Sequence, residues 1–503
     1  MKDDHFSRRE WLTGVTSTLA AAGLHACGKS PTVSRTSPTP ALPFADDPPP
    51  DRPNIVVYLA DTLRADHLSC YGYPTKTSPV IDELAKSGVL FENNSSGSTW
   101  TKPALGTALT GVPARVHQAV VSSPWQGVAD GSSYRVQTLR SVFETLPQAL
   151  KRVGYSSAYL QSNPHGRPEF GYGRGFDFTR NLGHYPAQLQ VTDAIQWIAE
   201  EATQPFFLFI HEIDPHGPYV SQRESFRQLH DVQAKSIIEQ LDPSEAERVK
   251  RFVELLGMGA DVKEGVRNIS QEASRYIQME YDAEIFEIGF AIERLLKYLN
   301  NIEVLDHTVF TITSDHGEGF GEHGFYSHGP ALPYDELLHV PLIMAGGGIP
   351  RGVRVPYTTT MLDFYPTLLE LARAPIPSYV TGAPMFSADG ELRVTEHRLA
   401  YVDLDKRRPN LSDWDAAIIQ GRYKVASRNK ATDYWIFDRE ADPGEHVNLV
   451  GTGRLPANLE HELIETLQEQ VNRYDRISKE FGEPEWMEAD ESVQQELDAL
   501  GYI

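Results

Sequence analysis

Carboxylate, amide and imidazole side chains recur in this sequence directly after runs of mainly apolar residues. Four such groups occur: Asp61 after residues 55–60, Asn163 and His165 after 155–160, His211, Asp214 and His216 after 206–210, and Asp315 and His316 after 308–313. These side chains bind divalent metal ions and move protons. Turn formation or capping explains any one Asp at such a place. The repetition, with histidines in three of the four groups, indicates a metal-dependent or acid–base site.

The apolar runs predict the strands that position these groups. Runs at 55–60, 155–160, 206–210, 308–313 and 340–344 are apolar on both faces rather than alternating. Such runs are typical of strands covered on both sides, so we predict an α/β fold with a large, mainly parallel sheet flanked by helices. In open α/β sheets the ligand site lies at the carboxyl ends of the strands. The four groups are therefore expected to meet there.

Two helices are readable between the strands. Ser78-Pro79 starts a pattern that Gly88 stops, and a longer helix is predicted from Tyr281 to Leu299. Residues 222–278 are charged and helix-prone, which predicts an inserted helical cap over one end of the sheet. We place the α/β domain at residues 52–375.

The pattern changes after about residue 375. Short strand-like segments appear at 399–403, 416–420, 423–426 and 434–438, followed by a helical pattern over about 459–474. This predicts a C-terminal subdomain, residues 376–475, built from a small antiparallel sheet and a helix. Residues 476–503 read as an acidic tail.

The first 51 residues are predicted to lie outside the fold. Arg8-Arg9 precede a short apolar stretch and then Cys27, which predicts a twin-arginine export signal over 1–27 with a lipoprotein-like cleavage box. Cys27 is then the lipidated residue, and a plain cleavage site is the alternative. Residues 28–51 are rich in Pro, Ser, Thr and Ala and predict a disordered linker. We expect an exported protein, a periplasmic or cell-envelope lipoprotein of a bacterium that meets the membrane only through its lipid anchor.

Charge and cysteine content exclude several classes of protein and of metal site. The 503 residues include 46 Lys and Arg and 69 Asp and Glu, a net charge of −23. A nucleic-acid partner is not expected, because such proteins need a basic face. A small anionic substrate stays compatible, since a bound metal reverses the local charge. Only Cys27 and Cys70 occur, so there is no disulfide framework and no cysteine-rich metal site.

Several segments, in chain order, share one further resemblance. They are Asp61–Asp66, Cys70–Tyr73, Thr101–Gly111, His211–His216, Ser314–Glu318, Gly321–Gly324, His328-Gly329, Asp442–Glu445 and Asn448-Leu449. Together they resemble the sulfatase family of the alkaline phosphatase superfamily, over roughly residues 52–450. The resemblance implies the alkaline-phosphatase/sulfatase-like fold and the hydrolysis of sulfate or phosphate esters.

The same resemblance implies three sets of site residues. The metal ligands would be Asp61, Thr101, Asp315 and His316. The catalytic residues would be Thr101, His211 and His165, and the substrate-binding residues Lys102, Asn163, His216 and His328. One divalent metal ion is implied, Ca²⁺ by family, with Mn²⁺ or Zn²⁺ as alternatives that the ligand types also allow. The other histidines of note, His67, His117, His184 and His339, are expected to be structural.

The nucleophile segment departs from the family pattern. Active sulfatases carry Cys/Ser-x-Pro-x-Arg, whose first residue is oxidised to formylglycine, whereas this chain reads Thr101-Lys102-Pro103-Ala104-Leu105. Asn163 replaces a lysine that assists the aldehyde hydrate, and Ala60 replaces a further aspartate ligand. We therefore predict a threonine nucleophile and no formylglycine. A phosphothreonine is open to in-line attack by water, so this nucleophile favours phosphorus more than sulfur.

Three functions follow as hypotheses. The first is a metal-dependent hydrolase of sulfate or phosphate esters, acting on a small anionic ester or on a sulfated or phosphorylated glycan or lipid. The second is a phosphoryl or phosphoethanolamine-type transferase, in which an alcohol replaces water. The third is a non-catalytic sulfatase-like binding protein. Bound metal separates the third from the others, and product analysis with competing alcohols separates the first two.

Overall fold

The structure is a computed structural model of the chain. It describes residues 51–120, 134–183, 186–219, 233–255, 266, 268–329, 333–404, 415–428, 432–456, 458–489 and 493. The predicted signal and linker, with Cys27, fall almost wholly outside the described residues, and so does His184. No helix of the described part is long and apolar enough to cross a membrane.

The described residues fold into strands and helices that are numbered here in chain order. The strands are β1 (Asn54–Ala60), β2 (Gly88–Ser95), β3 (Tyr134–Thr138), β4 (Ser156–Gln161), β5 (Phe178–Asn181), β6 (Phe206–Glu212), β7 (Thr308–Thr313), β8 (Gly319–Phe320), β9 (Tyr326–Ser327), β10 (Leu342–Ala345), β11 (Val353–Thr360), β12 (Leu399–Leu404), β13 (Asp415–Gln420), β14 (Tyr423–Arg428), β15 (Asp433–Asp438) and β16 (Glu485–Ala489). The helices are α1 (Pro79–Lys86), α2 (Thr101–Thr110), α3 (Ala114–His117), α4 (Leu146–Lys151), α5 (Ala187–Glu200), α6 (Pro243–Leu255), α7 (Gln271–Asn301), α8 (Asp335–Leu338), α9 (Met361–Leu371) and α10 (Leu459–Glu480).

Eight strands form the main sheet, in the order β11-β2-β10-β7-β1-β6-β4-β5. Every neighbouring pair is parallel except the two that involve β10. The predicted α/β fold with a mainly parallel sheet is confirmed. The predicted strand at 340–344 is present as β10, two residues later and antiparallel to both neighbours.

Strand β1 shows why the central strands are continuously apolar. All seven of its residues are buried. Because successive side chains leave a strand on opposite faces, Val56 and Tyr58 join one apolar cluster and Ile55, Val57 and Leu59 join another. Helix α7 contributes to the first cluster and α9 to the second. The sheet is therefore covered on both faces, as the sequence pattern predicted.

Several elements differ from the sequence-based expectation. Helix α7 begins at Gln271 rather than at Tyr281, so residues 271–278 of the predicted cap belong to it. Elsewhere in the cap, α6 and residues 233–240 are helical, and α6 packs against α7. The strands that were not predicted are β2, β3, β5, β8, β9, β11 and β16. β11 is an edge strand that contains Pro356 at a register shift, a position that edge strands tolerate.

The small C-terminal sheet is confirmed, with four antiparallel strands in the order β12-β13-β14-β15. Helix α10 packs against it and runs on to Glu480, beyond the predicted end near residue 474. Farther on, β16 pairs with β3 in a separate two-stranded sheet. The segment predicted as an acidic tail therefore includes the end of a helix and a paired strand.

Candidate active site

The carboxyl ends of three neighbouring strands bring Asp61, His211 and Asp315 together. Leu59 of β1 lies beside His211 of β6 and beside Thr313 of β7, so the ends of the three strands are level. Asp61 follows β1, and Asp315 follows β7 after one residue. All three side chains are buried, and their ligand atoms lie within 4.8 Å of one another.

These three residues suit a metal ion. Oδ1 of Asp61 and Oδ2 of Asp315 have no hydrogen-bond partner among the described residues. Buried carboxylate oxygens are normally hydrogen-bonded or metal-bound, because an isolated buried charge is costly. Nε2 of His211 lies 3.3 Å from Oδ2 of Asp61. Two carboxylate oxygens and an imidazole nitrogen that converge in this way fit a divalent cation.

Without a bound cation, the pKa values of the two carboxyl groups are shifted in opposite directions. Burial alone raises the pKa of Asp61, but His211, His216 and His316 together outweigh burial and lower that pKa to about 2. Burial, followed by the negative charge of Asp61, raises the pKa of Asp315 above its usual value. The pair therefore carries a repulsion that a bound cation relieves.

The backbone fixes one oxygen of Asp315 and leaves the other directed at the site. The amides of Thr62 and His316 donate to Oδ1 of Asp315, at 3.3 and 2.9 Å. Thr62 has φ 58°, a conformation rare for a β-branched residue, in the turn that follows β1. The hydroxyl of Tyr281 from α7 donates to the carbonyl of Thr62 at 2.7 Å, which holds this turn.

Thr101 is the first residue of helix α2, and its side chain is buried. Nδ1 of His316 donates to the carbonyl of Gly317 at 2.8 Å, so Nε2 is the ring nitrogen that faces the site, 3.2 Å from Oγ1 of Thr101. Nδ2 of Asn163 lies 3.4 Å from Oγ1 of Thr101. The preceding residue, Trp100, makes no side-chain cap hydrogen bond. The hydroxyl thus lies at a helix N-terminus, where negative charge is stabilised.

His316 lies close to both carboxylates. Its Nε2 is 3.4 Å from Oδ2 of Asp315 and 3.7 Å from Oδ1 of Asp61. The four ligands implied by the sequence therefore share one buried volume with His211. Sequence reasoning assigned His211 to catalysis alone, and the geometry adds it to the groups that fit the metal.

Asn163 and His165 lie next to this cluster. The side-chain amide of Asn163 donates to Oδ2 of Asp61, and its Oδ1 accepts from the backbone amide of His165 at 2.8 Å. The His165 ring meets Trp100 edge to face, with centroids 5.4 Å apart. Lys102 is fully buried, and its Nζ lies 5.1 Å from the ring centroid of Phe170. The described contacts of Lys102 thus place it against an aromatic ring.

Three imidazoles form a row beside the carboxylates. The ring of His328 lies 4.4 Å from that of His316 and 5.0 Å from that of His216. Nδ1 of His216 donates to the carbonyl of Gly217 at 2.6 Å. The row runs from the buried carboxylates toward the segment after β6 and adds imidazole N–H groups, which can donate to an anion.

The remaining predicted structural histidines have contacts outside this cluster. Nδ1 of His67 lies 2.7 Å from Asp282, Nε2 of His117 lies 3.1 Å from the carbonyl of Pro103, and Nε2 of His339 lies 2.8 Å from the carbonyl of Glu92. These are packing and anchoring contacts.

A separate cleft of about 670 Å³ opens between the α/β domain and the C-terminal sheet. Arg64, Glu322, Arg439 and His446 are among its lining residues, and none of the predicted site residues lines it. Its charges are largely paired, as in the contact between Arg64 and Glu322 at 2.6 Å. The candidate site is therefore the buried cluster at the strand ends, which is separate from this cleft.

Known sulfatases are similar to this chain in sequence. The chain is 23% identical to an N-acetylglucosamine-6-O-sulfatase of Bacteroides thetaiotaomicron, over 84% of this chain and 87% of that protein. It is 24% identical to an arylsulfatase of Clostridium perfringens, over 80% and 91%.

Solved structures show the same fold at low identity. A protein in complex with its substrate D-glucosamine-2-N,6-O-disulfate has a TM-score of 0.63 and 21% identity, over 84% of this chain and 98% of that one. The phosphonate monoester hydrolase of Agrobacterium radiobacter has a TM-score of 0.65 and 20% identity, over 84% and 96%.

Family models match along most of the described chain. A model for the C-terminal part of N-sulphoglucosamine sulphohydrolase matches residues 321–473. The model described as Sulfatase matches residues 53–374, which hold every buried residue of the cluster described above. The chain therefore belongs to the sulfatase family.

Proposed function

We propose that this protein is a metal-dependent hydrolase of sulfate or phosphate esters that uses Thr101 as its nucleophile. The observation that carries the proposal is the placement of the Thr101 hydroxyl. It lies at the start of a buried helix, 3.2 Å from Nε2 of His316 and 3.4 Å from Nδ2 of Asn163. Asp61 and Asp315 adjoin it. A nucleophile and a cation site thus share one place.

The surroundings of Thr101 support a mechanism without formylglycine. Leu105, at the position of the family's arginine, is fully buried in an apolar cluster with Leu109 and Phe91. An arginine there would bury a charge among hydrocarbon side chains. Asn163 is too short to act as the missing lysine, and its amide instead contacts Asp61. The two changes agree with the threonine at residue 101.

We infer that Asp61, Asp315, His316 and Thr101 hold one divalent ion, with His211 as a further donor. The oxygen donors suit Ca²⁺, and the imidazoles admit Mn²⁺ or Zn²⁺. When bound, such an ion lowers the pKa of a coordinated hydroxyl and stabilises negative charge on an attacked ester.

The chain's own residues then perform a double displacement. The Thr101 hydroxyl gives up its proton to solvent, and its oxygen attacks the sulfur or phosphorus atom while the bond to the leaving alcohol breaks. His165 supplies the proton that the alcohol takes up, or His211 does so if it stays outside the ion's ligand set. Water next attacks the sulfur or phosphorus atom and frees the Thr101 oxygen, and a proton from that water returns to the histidine. Lys102, Asn163, His216 and His328 bind the anionic oxygens.

The proposed substrate is an ester carried by a glycan. One relative named above is a sulfatase of N-acetylglucosamine, another has a disulfated glucosamine as its substrate, and a phosphonate monoester hydrolase shares the fold. The threonine nucleophile favours phosphorus, so a phosphorylated glycan or lipid is part of the proposal. We also propose that the protein is exported and lipid-anchored through Cys27, on the strength of the leader sequence.

A substrate panel tests the proposal. Purified protein is assayed with p-nitrophenyl sulfate, phosphate monoester, phosphodiester and phosphonate, each with Ca²⁺, Mn²⁺ and Zn²⁺ in turn. Hydrolysis of at least one substrate that requires metal and that stops in Thr101→Ala supports it. Alcohol adducts in place of free acid would indicate a transferase. Metal binding without turnover of any substrate would overturn the hydrolase in favour of a binding protein.

A further inference from the structure

We propose that Glu318 is a positioning residue for His328, one that fixes the orientation and tautomer of this ring in the active site. The inference rests on the proposed function for its kinetic consequence, because His328 is proposed there to bind the substrate anion. The orientation and tautomer of the ring are inferred only from the geometry of the hairpin that β8 and β9 form.

The hairpin brings the two residues face to face. Strands β8 and β9 pair antiparallel, with Gly319 opposite Ser327 and Phe320 opposite Tyr326. Glu318 precedes β8 and His328 follows β9, so they are the next pair along the same ladder. Directly opposed side chains on an antiparallel pair are within contact distance. Oε1 of Glu318 lies 3.2 Å from Nδ1 of His328.

This contact selects one tautomer. An ionised carboxylate only accepts, so Nδ1 of His328 carries the hydrogen and Nε2 is the other ring nitrogen. His216 and His316 donate Nδ1–H to backbone carbonyls in the same way. Their rings flank that of His328, at 5.0 and 4.4 Å. All three imidazoles therefore have their Nδ1 bound to the protein, the arrangement that orients a histidine toward a ligand.

The hairpin is anchored so that the contact keeps its geometry. Nη1 of Arg64 donates to the carbonyl of Glu318 at 2.9 Å and to Oε1 of Glu322 at 2.6 Å. Asp66 holds the other side of the same guanidinium at 2.7 and 2.9 Å. Glu318 itself is fully buried. Arg64, in the turn after β1, therefore holds the backbone of Glu318, and the buried carboxylate of Glu318 in turn fixes the orientation of the His328 ring.

The backbone before His328 is also specialised. Ser327 has φ 71°, in the left-handed region that non-glycine residues rarely occupy. Such a conformation persists only where the surroundings fix it. Here it is the last paired residue of β9 and precedes the ring that Glu318 holds. Both the backbone and the carboxylate therefore set the direction of His328.

The test compares Glu318→Leu, which removes the acceptor, with Glu318→Gln, which keeps an amide oxygen that accepts from Nδ1–H. On the best panel substrate, Glu318→Leu should lower kcat/KM about 10- to 100-fold, the range for removal of such a partner. Glu318→Gln should recover most of this loss. In a His328→Asn background, Glu318→Leu should cost little more, because the two residues act as one unit.

A second readout does not need turnover. Nitrogen NMR of histidine-labelled protein, at a pH well above the imidazole range near 6.5, reports the tautomer of His328, assigned by its loss in His328→Asn. Wild type should show the Nδ1–H form, and Glu318→Leu should lose it. Glu293→Gln, on helix α7 and paired with the exposed Lys297 at 2.7 Å, is the control that should keep it.

The two readouts separate this inference from the proposed function. An Nε2–H tautomer in wild type, or an unchanged tautomer in Glu318→Leu, overturns the positioning role whatever the activity. If wild type shows the Nδ1–H form and turns over no substrate, the proposed function fails and the positioning role stands. Additive losses in the double variant would also contradict the inference.

Discussion

The hydroxyl of Thr101 lies 3.2 Å from Nε2 of His316, although the two residues are 215 positions apart in the chain. Helix α2 supplies the threonine, and the segment that follows strand β7 supplies the histidine. Because His316 donates Nδ1–H to Gly317, its Nε2 and the Thr101 hydroxyl face the same proposed cation site. This relationship is the basis of the first prediction.

Replacing Thr101 by Ala should abolish turnover while the fold is retained, since one hydroxyl is lost. We expect a loss of about 10³-fold or more in kcat, as for other nucleophiles, and partial activity in Thr101→Ser. Thr110→Ala is the matched control, because this threonine of the same helix only donates to the carbonyl of Gly106. Intact-mass analysis should show an unmodified threonine at residue 101. Full activity in Thr101→Ala would mean that another group is the nucleophile.

Asp315→Asn should reduce metal binding. The variant keeps the size of the side chain but removes one of the two charges that balance a divalent ion. Metal content by plasma mass spectrometry should fall well below that of wild type. Asp282→Asn is the control: Asp282 is also buried, but its partners are His67 and Tyr73, outside the cluster.

Metal removal gives an independent check of the same site. At a metal concentration 100-fold above Kd, binding stabilises the folded state by about 2.7 kcal/mol, so a chelator should lower the Tm of wild type. The shift should be much smaller in Asp315→Asn, because this variant lacks one ligand charge and holds the ion weakly before the chelator is added. Equal metal content and equal chelator shifts in both proteins would remove the proposed site.

Much of the site was predictable because residues that can bind a metal or move a proton lie at the ends of the apolar runs in the sequence. The apolar runs before Asp61, His211 and Asp315 mark neighbouring strands, and level strand ends bring the three side chains together. The place of His211 among the metal-fitting groups was not predictable. It depends on how its ring packs over Gly166, where a Cβ on this glycine would lie 2.7 Å from Nδ1 of His211.

The strands that were not predicted have either polar ends or very short lengths. β2 reads GVLFENNS and β11 reads VRVPYTTT, so their polar ends hide them from a search for apolar runs. β8 and β9 have two residues each and leave no pattern at all. Glu318 was noted only as part of a motif, because its role depends on the pairing of those two short strands.

Acid should destabilise the protein partly through His117. Burial lowers the pKa of His117 to about 3, against 6.5 for an exposed imidazole, and the nearby carbonyl of Pro103 offsets this only in part. Between about pH 6.5 and 3, His117 therefore binds a proton in the unfolded chain but not in the folded chain. The contribution of His117 to stability is complete above that window and is lost as the pH falls, by up to about 1.4 kcal/mol per pH unit.

Urea denaturation of wild type and His117→Gln, at about pH 7 and about pH 5, measures this contribution. The loss of unfolding free energy on acidification should be smaller in His117→Gln than in wild type. His461→Gln is the control, because the His461 side chain is 74% exposed. The same pH dependence in wild type and His117→Gln would show that His117 takes up its proton in the folded state.

The leader assignment is tested in cells. Arg8→Lys combined with Arg9→Lys should leave the precursor in the cytoplasm, because the twin arginine is the proposed export address. Cys27→Ala should be exported without the lipid anchor and should leave the membrane fraction. Fractionation and immunoblotting measure both outcomes. Membrane-associated protein at wild-type levels in both variants would rule out the leader.

Lys424 joins the C-terminal sheet to helix α8 through a buried ion cluster. Its side chain is fully buried on β14, and its Nζ lies 2.8 Å from Oδ1 of Asp335 and 2.7 Å from Oε2 of Glu445. Arg439 adds a second contact to Asp335 at 2.7 Å. Lys424→Met keeps the apolar stem but leaves the buried Glu445 carboxylate without its cation. We expect a loss of about 3–5 kcal/mol in unfolding free energy, the cost of breaking a buried pair.

The control for this variant is Lys297→Met. Nζ of Lys297 lies 2.7 Å from Glu293, but the side chain is 65% exposed, so the loss should stay below about 1 kcal/mol. Adding Glu445→Gln to Lys424→Met should recover part of the stability, because it removes the carboxylate charge that, among the described residues, Lys424 alone pairs with. Equal urea midpoints for Lys424→Met and Lys297→Met, or a further loss in the double variant, would show that this cluster does not hold the C-terminal sheet against the α/β domain.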